Sequence, residues 1–596
     1  MKSKSPNSEE ATLFLFKKLW QYADGMRKWI VLYVAMFVIS NIIILLPPLI
    51  FGEFIRAIQI DGIGEQNLNY LLWLLFLLVA TELVFWVFHG PARIIENIIS
   101  FKTEVNYRRY LMKGVLGLGL SWHNEHDSGD TIDKVNKACE GLGSFSHNVF
   151  QIVQIFVRLI GTSLILMWFS PTIGIAVFIF VLISFVVIFQ FDRYLIPQYR
   201  RLNEYSNRAI AGVFDALSNI TSVKILHIEK PILEGVLSRF NASYPLYKSN
   251  IKLNEAKWFT GAIFFQVIAI VPIAFYVVTG VSNGKAVDAG TISTLYLYLS
   301  NLIYVYFTFT YLYNDLAIFK NRVLNAKPIE DALESKNVIK RNPAPEWNKL
   351  RINDLEFAYD NTKDTPHLSG VNISIPKGSR IAVIGESGSG KTTFLKVIHG
   401  LYPEASGFIS FDDKESAATS FADLDLKTML VPQEPEIFSS SIRENITLGI
   451  NYSEKEVLHA VRIANFSGVV AGLPKGLESV INEKGVNLSG GQKQRLALSR
   501  ALLFAKDKEV ILLDESTSSV DSENEMEIYT NVWHAFKGKT VIASIHKMNL
   551  LKLFDTIFIF EKGKIADYGS FDELLNKNSS FRQSWEQFVA KHSNEL

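Results

Sequence analysis

Cysteine is nearly missing: the 596 residues contain one, Cys139. That excludes an intramolecular disulfide and any metal or cluster site built from several thiolates, and with them a secreted disulfide scaffold. Uncompensated charge is missing too. Sixty Lys and Arg against 59 Asp and Glu leave a net charge of +1, whereas a chain that neutralises many phosphates of DNA or RNA carries a basic excess, so nucleic acid is not expected as a partner. Stretches such as Leu71–Ala80 and Ile173–Phe189 hold no charged residue at all. Runs of that kind exclude a wholly soluble protein.

What is abundant is apolar surface. Hydrophobic residues make up 48% of the chain and the mean hydropathy is +0.17. The excess is confined to the part before residue 315; ordinary mixed sequence follows. Six stretches approach the length needed to cross ~30 Å of hydrocarbon at ~1.5 Å per helical residue: Trp29–Phe51, Tyr70–Phe88, Val149–Phe169, Thr172–Phe191, Trp258–Thr279 and Thr291–Leu312. The dipeptide Ser170-Pro171 joins the third to the fourth in a tight hairpin. Residues 1–28 carry Lys2, Lys4, Glu9, Glu10, Lys17 and Lys18 and no small-residue cleavage pattern, which is not a signal peptide. Leu13, Phe14, Phe16, Leu19 and Trp20 suit a short helix on the membrane surface or an ordinary soluble helix equally.

Lysine and arginine set the expected orientation. Segments 1–28, 91–148 and 192–257 hold six, seven and ten of them, whereas the intervening connections hold only Arg56 and Lys285. This puts the N-terminus and both long loops in the cytoplasm, and six crossings return the chain to the same side. Long inner loops beside short outer ones suggest helices that continue into the cytoplasm.

Pro328, Pro343 and Pro345 mark a linker over 326–347. Beyond it the apolar strand Arg380–Ile384 runs into Gly385-Glu-Ser-Gly-Ser-Gly-Lys-Thr-Thr393, a phosphate loop in its strand–loop–helix setting. Gly385, Gly388 and Gly390, interleaved with Ser387 and Ser389, let backbone N–H groups face phosphate oxygens. Lys391 would reach the β- and γ-phosphates, Thr392 would ligate Mg²⁺, and Thr393 continues the helix whose positive end faces the anion. A second apolar strand, Val510–Leu513, delivers Asp514 and Glu515. Asp514 would hold the metal and Glu515 would act as general base on water. Between the two lies Leu488–Leu503 (LSGGQKQRLALSRALL). Ser489 reads as a helix N-cap before Gly490, Gly491 and Gln492, a ready anion site in a chain that already has a phosphate loop.

This constellation resembles an ATP-binding cassette (ABC) protein, and the fused six-span region resembles an exporter-type (type IV) half-transporter. The resemblance implies an all-α six-helix transmembrane domain (29–325, after an N-terminal segment 1–28) followed by an α/β P-loop ATPase domain (348–596). It further implies that Ser489, Gly490, Gly491 and Gln492 act on ATP bound to a partner, either a second copy of the chain or a sister half-transporter. Gln433 in VPQEPEIF matches the family's Q-loop glutamine, a sensor of Mg²⁺ and water, and His546 in IASIHKM the switch histidine on the γ-phosphate. Tyr359 in LEFAYD matches the adenine-stacking aromatic, although its shared periodicity with Leu355 and Phe357 also fits a core strand face. Asp521 in SSVD matches the dimer-interface aspartate. Two departures, SSVD for the commoner SALD and IHKM for THRL, keep the polar groups. Glu483 in INEKG resembles a cross-link to the membrane-domain loops, and Asn124–Val135 and Val213–Lys224 resemble coupling helices.

Asn301, Tyr304, Thr308, Tyr311 and Asp315 form one stripe on the sixth span, and Gln151, Gln154 and Arg158 another on the third. Charges at membrane depth face protein or water; Glu82 and Arg158 lie at matching depth and are expected to pair. Twenty-two Tyr and 42 Phe suit an amphipathic or aromatic cargo, whether small molecule, lipid or peptide, and interfacial belts equally. No peptidase domain precedes the first span, which argues against a leader-cleaving peptide exporter. The resulting expectation is an ATP-driven exporter or flippase, a multi-pass protein of the bacterial cytoplasmic (inner) membrane with both termini in the cytoplasm. The rivals are an ATP-gated channel or regulatory membrane ATPase of the same family, and an uptake system, which the short outer loops disfavour.

Overall fold

A computed structural model describes residues 8–284, 286–335, 345–359, 366–402, 405–412, 414–415, 421–424, 427–481 and 488–592. The chain forms two compact units. Met1–Gly117 with Ser128–Leu333 makes one, and Leu118–Asp127 with Glu334–Leu596 the other.

The first unit is all helix: α1 (Ser8–Tyr22), α2 (Arg27–Ile43), α3 (Pro47–Asp61), α4 (Leu68–Gly117), then, after the short α5 (Leu120–Glu125) of the other unit, α6 (Ser128–His147), α7 (Val149–Phe169), α8 (Pro171–Ser218), α9 (Ile220–Leu226), α10 (Glu229–Asn241), α11 (Tyr244–Ser282), α12 (Ala289–Leu324) and α13 (Lys327–Ser335). Among the described residues, six segments are long and apolar enough to cross a membrane. Helices of 50, 48 and 39 residues far exceed the ~20 that a bilayer needs, so most of the excess length is polar helix beyond the apolar span. Pro91, Pro197 and Pro272 lie inside α4, α8 and α11 without ending them.

The first span is not the single helix that its hydropathy suggests. Pro47 and Pro48 have no N–H to give, so the ladder fails and Leu45 and Leu46 turn back on carbonyls three residues earlier. The sixth span answers one carbonyl at the break: the buried Tyr298 hydroxyl donates to the Leu45 carbonyl at 2.6 Å, while Thr294 Oγ1, which donates to Gly290 O at 2.9 Å in its own helix, lies 3.3 Å from Pro48 O. Contact there is so close that a Cβ on Gly52 would sit 1.8 Å from Thr294 Oγ1. Helix α1 lies on this unit through buried Leu15 and Leu19, the edge-on pair Phe16–Phe145, and Lys18 to Glu330 at 2.7 Å. Helices α8 and α11 are joined by a buried ion pair, Lys257 Nζ to Asp192 Oδ1 at 2.7 Å.

The second unit holds two sheets. Strands β1 (Lys349–Phe357), β2 (Leu368–Pro376), β4 (Ser406–Phe411) and β5 (Lys414–Glu415) form an antiparallel sheet in the order β2-β1-β4-β5. Strands β3 (Arg380–Ile384), β6 (Thr428–Val431), β7 (Val510–Asp514), β8 (Thr540–Ser544), β9 (Thr556–Glu561) and β10 (Lys564–Gly569) form the second sheet, order β10-β9-β3-β8-β7-β6, parallel except for β10. Its helices are α14 (Lys391–Ile398), α15 (Phe421–Leu424), α16 (Ile442–Thr447), α17 (Glu454–Ile463), α18 (Ser467–Gly472), α19 (Gly490–Phe504), α20 (Ser522–Ala535), α21 (Phe571–Lys577) and α22 (Ser579–His592). Strands β7 and β8 are buried along their whole length because both faces are covered. Leu512 and Ile542 enter the core shared with β1, β2 and α14, while Leu513 and Ala543 enter the core under α16, α17, α19 and α20.

The Asp192–Lys257 pair yields a test of how the long helices are held. Lys257→Met leaves a buried carboxylate without its counter-ion and is expected to cost about 3–5 kcal/mol, whereas Asp192→Leu with Lys257→Met costs far less. Thermal unfolding of the two variants in lipid, read against wild type, measures the difference.

Candidate functional site

Parallel pairing brings the candidate residues to one edge. Val383 of β3 and Asp514 of β7 both pair with Ser544 of β8, and Leu513 pairs with Val431 of β6. The segments leaving the carboxyl ends of these four strands therefore emerge side by side: Gly385–Gly390 after β3, His546 after β8, Glu515 after β7 and Gln433 after β6. In parallel α/β sheets this is the edge where ligands bind.

Gly385 has φ 149°, and a Cβ there would strike the Phe560 carbonyl at 2.2 Å, so the first turn of the loop admits only glycine. Gly390 (φ 107°) precedes α14 at its N-cap position. The Lys391 ammonium donates to the carbonyls of Gly385 at 2.9 Å and Glu386 at 3.1 Å. Burial pulls its pKa down, opposed by the charges of Glu515 and Asp514. The buried Ser389 hydroxyl finds no hydrogen-bond partner among the described residues. Thr392 Oγ1 donates to Asp514 Oδ1 at 3.0 Å. Burial pushes the Asp514 carboxyl above the usual carboxylate range; the Thr392 bond opposes this and the Glu515 charge adds to it.

Glu515 sits in the left-handed region, φ 44°, where an L-residue is strained, directly after a strand with no freedom to relax. Its carboxylate is gripped from both sides. Gln433 Nε2 donates to Oε2 at 2.7 Å and His546 Nε2 to Oε1 at 2.5 Å. Tyr359 lies beyond the end of β1: Leu355 and Phe357 are buried in the core, while Tyr359 is half-buried with its hydroxyl 3.3 Å from Thr393 Oγ1. Its ring meets Phe357, His367 and Tyr402 edge-on.

Ser489 and Gln492 form a reciprocal capping box at the start of α19: the Ser489 hydroxyl accepts from Gln492 N, and Gln492 Oε1 accepts from Ser489 N at 2.9 Å. A cavity of ≈ 540 Å³ lies on one side of the phosphate loop, bounded by Gly385–Ser389, His546 and Phe581. Asp521 caps α20, and the backbone and side-chain bonds from Asn524 hold its carboxyl below the usual range.

Two residues were missed in the sequence. Gln494 donates to Ser518 Oγ at 3.0 Å and accepts from Ser519 N at 2.9 Å. Arg500 pins the chain after Gln433 through Glu436 O at 2.8 Å and Asn445 O at 2.7 Å. The available signal was Gln494 itself, a polar side chain in register with Leu498 and Ala501 on the buried face of a helix.

Three expectations are corrected. Glu82 and Arg158 do not pair: the exposed Glu82 accepts from Trp86, one turn along its own helix, whereas Arg158 donates to Asn41 at 3.0 Å and lies 5.5 Å from the Tyr304 ring. Equal depth did not mean facing sides. Asn124–Val135 is not one helix; it breaks at His126-Asp127, and Leu118–Asp127 with α5 belongs to the α/β unit. Val213–Lys224 likewise breaks at Asn219, between α8 and α9. Along α12, Asn301 and Thr308 are half-buried and Tyr304 and Tyr311 exposed, the last with its ring 4.9 Å from that of Trp258 at a tilt of 34°. Glu483 and residues 336–344 of the linker lie outside the described residues.

The fold and the strand-end constellation define a P-loop ATPase joined in one chain to a six-span membrane domain. Family models bear this out: residues 30–306 match "ABC transporter transmembrane region" and residues 368–518 match "ABC transporter". The chain belongs to the ABC transporter family, as an integral membrane protein that couples ATP hydrolysis to transport. It is 25% identical over 600 residues to the ATP-dependent lipid A-core flippase of Photobacterium profundum, covering 97% of this chain and 98% of that one. It is also 25% identical over 613 residues to the mitochondrial iron-sulfur clusters transporter ATM1 of Kluyveromyces lactis, covering 98% and 82%. Its fold matches the solved structure of a bacterial Atm1-family ABC exporter with ATP bound at TM-score 0.80, 21% identity, with 94% and 98% of the chains covered.

The raised pKa of Asp514 has a stability consequence. A buried acid whose folded pKa lies above its unfolded one destabilises the fold once ionised, and this penalty fades as pH falls through that raised value. Asp514→Asn is therefore expected to raise the unfolding midpoint in nucleotide-free, metal-free buffer at neutral pH, by about 2–4 °C for each kcal/mol recovered. The gap to wild type should narrow in acid. Scanning fluorimetry across pH measures both effects.

Proposed function

We propose that this chain is an ATP-driven exporter or flippase of an amphipathic or hydrophobic substrate, working as a dimer with a second copy or a sister half-transporter. The observation that carries the reading is the Glu515 carboxylate held between Gln433 and His546, beside the hydrogen-bonded pair Thr392 and Asp514 at the end of the phosphate loop. In this reading Gly385, Ser387, Gly388, Ser389, Gly390, Lys391 and Thr393 bind the phosphates, and the buried, unpartnered Ser389 hydroxyl is a donor awaiting one. Tyr359 stacks on adenine.

Thr392, Asp514 and Gln433 offer only oxygen donors toward a metal, a set that suits Mg²⁺. Mg²⁺ supplies neutralisation of phosphate charge. Glu515 accepts the proton of the attacking water, Gln433 orients its carboxylate, and His546 holds the same carboxylate and turns to the γ-phosphate. The second copy's Ser489, Gly490, Gly491 and Gln492 complete the pocket, with Asp521 at the contact. The similarity to flippases and exporters over nearly the whole length favours export over uptake and an amphiphile as cargo. Arg158, anchored by the buried Asn41, and the stripe Asn301, Tyr304, Thr308 and Tyr311 then face that cargo, a polar end in an otherwise aromatic wall. The proposed boundaries are 1–28, 29–325, 326–347 and 348–596, in a bacterial inner membrane with both termini cytoplasmic, as the lysine and arginine counts support.

Glu515→Gln in lipid is expected to lose turnover by about 10²–10⁴-fold while keeping ATP binding. ATPase assays with bound-nucleotide measurements on the same samples check this; undiminished hydrolysis removes Glu515 from the mechanism. Stimulation of wild-type ATPase by individual lipids, drugs or peptides identifies the cargo class.

A further inference from the structure

One segment joins the Glu515 carboxylate to two neighbouring elements. Residues 515–521 leave β7 at Glu515, turn through Thr517 and Val520, and end at Asp521, the cap of α20. On one side Gln494 of α19 holds Ser518 and Ser519, and Gly491 lies so close that a Cβ there would meet the Ser519 carbonyl at 2.6 Å. This ties the segment to the turn that holds Ser489–Gln492. On the other side stands Lys547, the residue after His546. Its ammonium donates to the Val520 carbonyl at 2.9 Å and lies 2.7 Å from Glu525 Oε2. The other oxygen of Glu525 accepts from Thr517 Oγ1 at 2.6 Å.

Glu525 is 4% exposed, and among the described residues Lys547 is the one cation that pairs with it. A buried carboxylate with a single counter-ion is a poor source of stability, since an apolar pair of similar volume holds a fold as well or better. What the ion pair supplies is geometry. The Lys547 ammonium is held by both the helix, through Glu525, and the turn, through the Val520 carbonyl, and the residue before it grips Glu515 at 2.5 Å.

We propose that Lys547 is a positioning residue: through Glu525 and the Val520 carbonyl it locks the His546 turn to the 515–521 segment, so that the segment reaching toward the second copy and the histidine on the catalytic carboxylate move together. The proposal rests on the dimeric reading above. Lys547 touches no reacting atom. It transmits the state of the Ser489–Gln492 side, by way of Gln494 and Ser519, to the position of His546.

The test uses the full chain in lipid, with Lys547→Met, Lys547→Arg, Lys547→Glu, and the charge-swapped pair Lys547→Glu with Glu525→Lys. ATP turnover is measured against ATP concentration, and ATP binding with a fluorescent ATP analogue. Lys547→Met is expected to lower kcat by about tenfold or more with KM nearly unchanged, and to bring the Hill coefficient down to about one. Lys547→Arg should restore most of both, because its guanidinium reaches the same two oxygens. The swapped pair should recover part of the loss relative to Lys547→Glu alone, which keeps the test open if a single variant folds poorly. Wild-type kcat and cooperativity in Lys547→Met overturn the proposal, as does a loss that Lys547→Arg shares in full. ATP-dependent association of Glu515→Gln protein, followed by cross-linking, separates this from the dimer reading: no association there overturns the dimer itself, whereas association with an unaffected Lys547→Met overturns only the role of Lys547.

Discussion

The α/β unit depends on a strand that has no water on either face and ends in two carboxylates. β7 is buried from Val510 to Asp514 between two apolar cores. Its burial fixes where Asp514 and Glu515 stand, and its neighbours in the sheet fix what stands beside them. Because the strands run parallel and in register, His546, Gln433 and the phosphate loop emerge at the same level. The cost of that rigidity is visible in the Glu515 backbone at φ 44° and in the raised pKa of Asp514. Strain and unfavourable burial concentrate where charge is needed, a recurrent feature of functional sites.

The same economy of polar groups governs the membrane unit. There the backbone itself must be satisfied without water. Pro47 and Pro48 break the first span, and the Leu45 carbonyl at the break is answered from the sixth by Tyr298. Glycines at 52 and 290 permit that approach. The repair therefore joins two segments more than 200 residues apart, and the kink is a packing feature as much as a local one. Further along, Asp192 and Lys257 join α8 to α11 by charge.

Much of this was legible in the primary structure, for reasons that differ by element. Six spans could be read because a run such as Ile173–Phe189 has no other stable setting. The phosphate loop could be read because Gly385, Gly388 and Gly390 occur at the spacing a backbone cradle requires, and Ser489 could be read as a cap because Gln492 follows at the reciprocal position. The division of the first span was also written there, in Pro47-Pro48, and was overlooked because hydropathy averages across it.

Local pattern determined which elements exist and which residue types they carry, because periodicity, capping and proline act within a few residues. Which faces meet was decided only by the tertiary structure. Matching depth suggested Glu82 with Arg158, yet depth along a helix says nothing about rotation around it, and the two side chains point to Trp86 and to Asn41. The register of β3, β6, β7 and β8, the grip of Gln433 and His546 on one carboxylate, and the reach of Lys547 to Val520 and Glu525 are likewise contacts between residues far apart in the chain. Such contacts follow from how sheets pair and cores fill, which no short window of sequence contains.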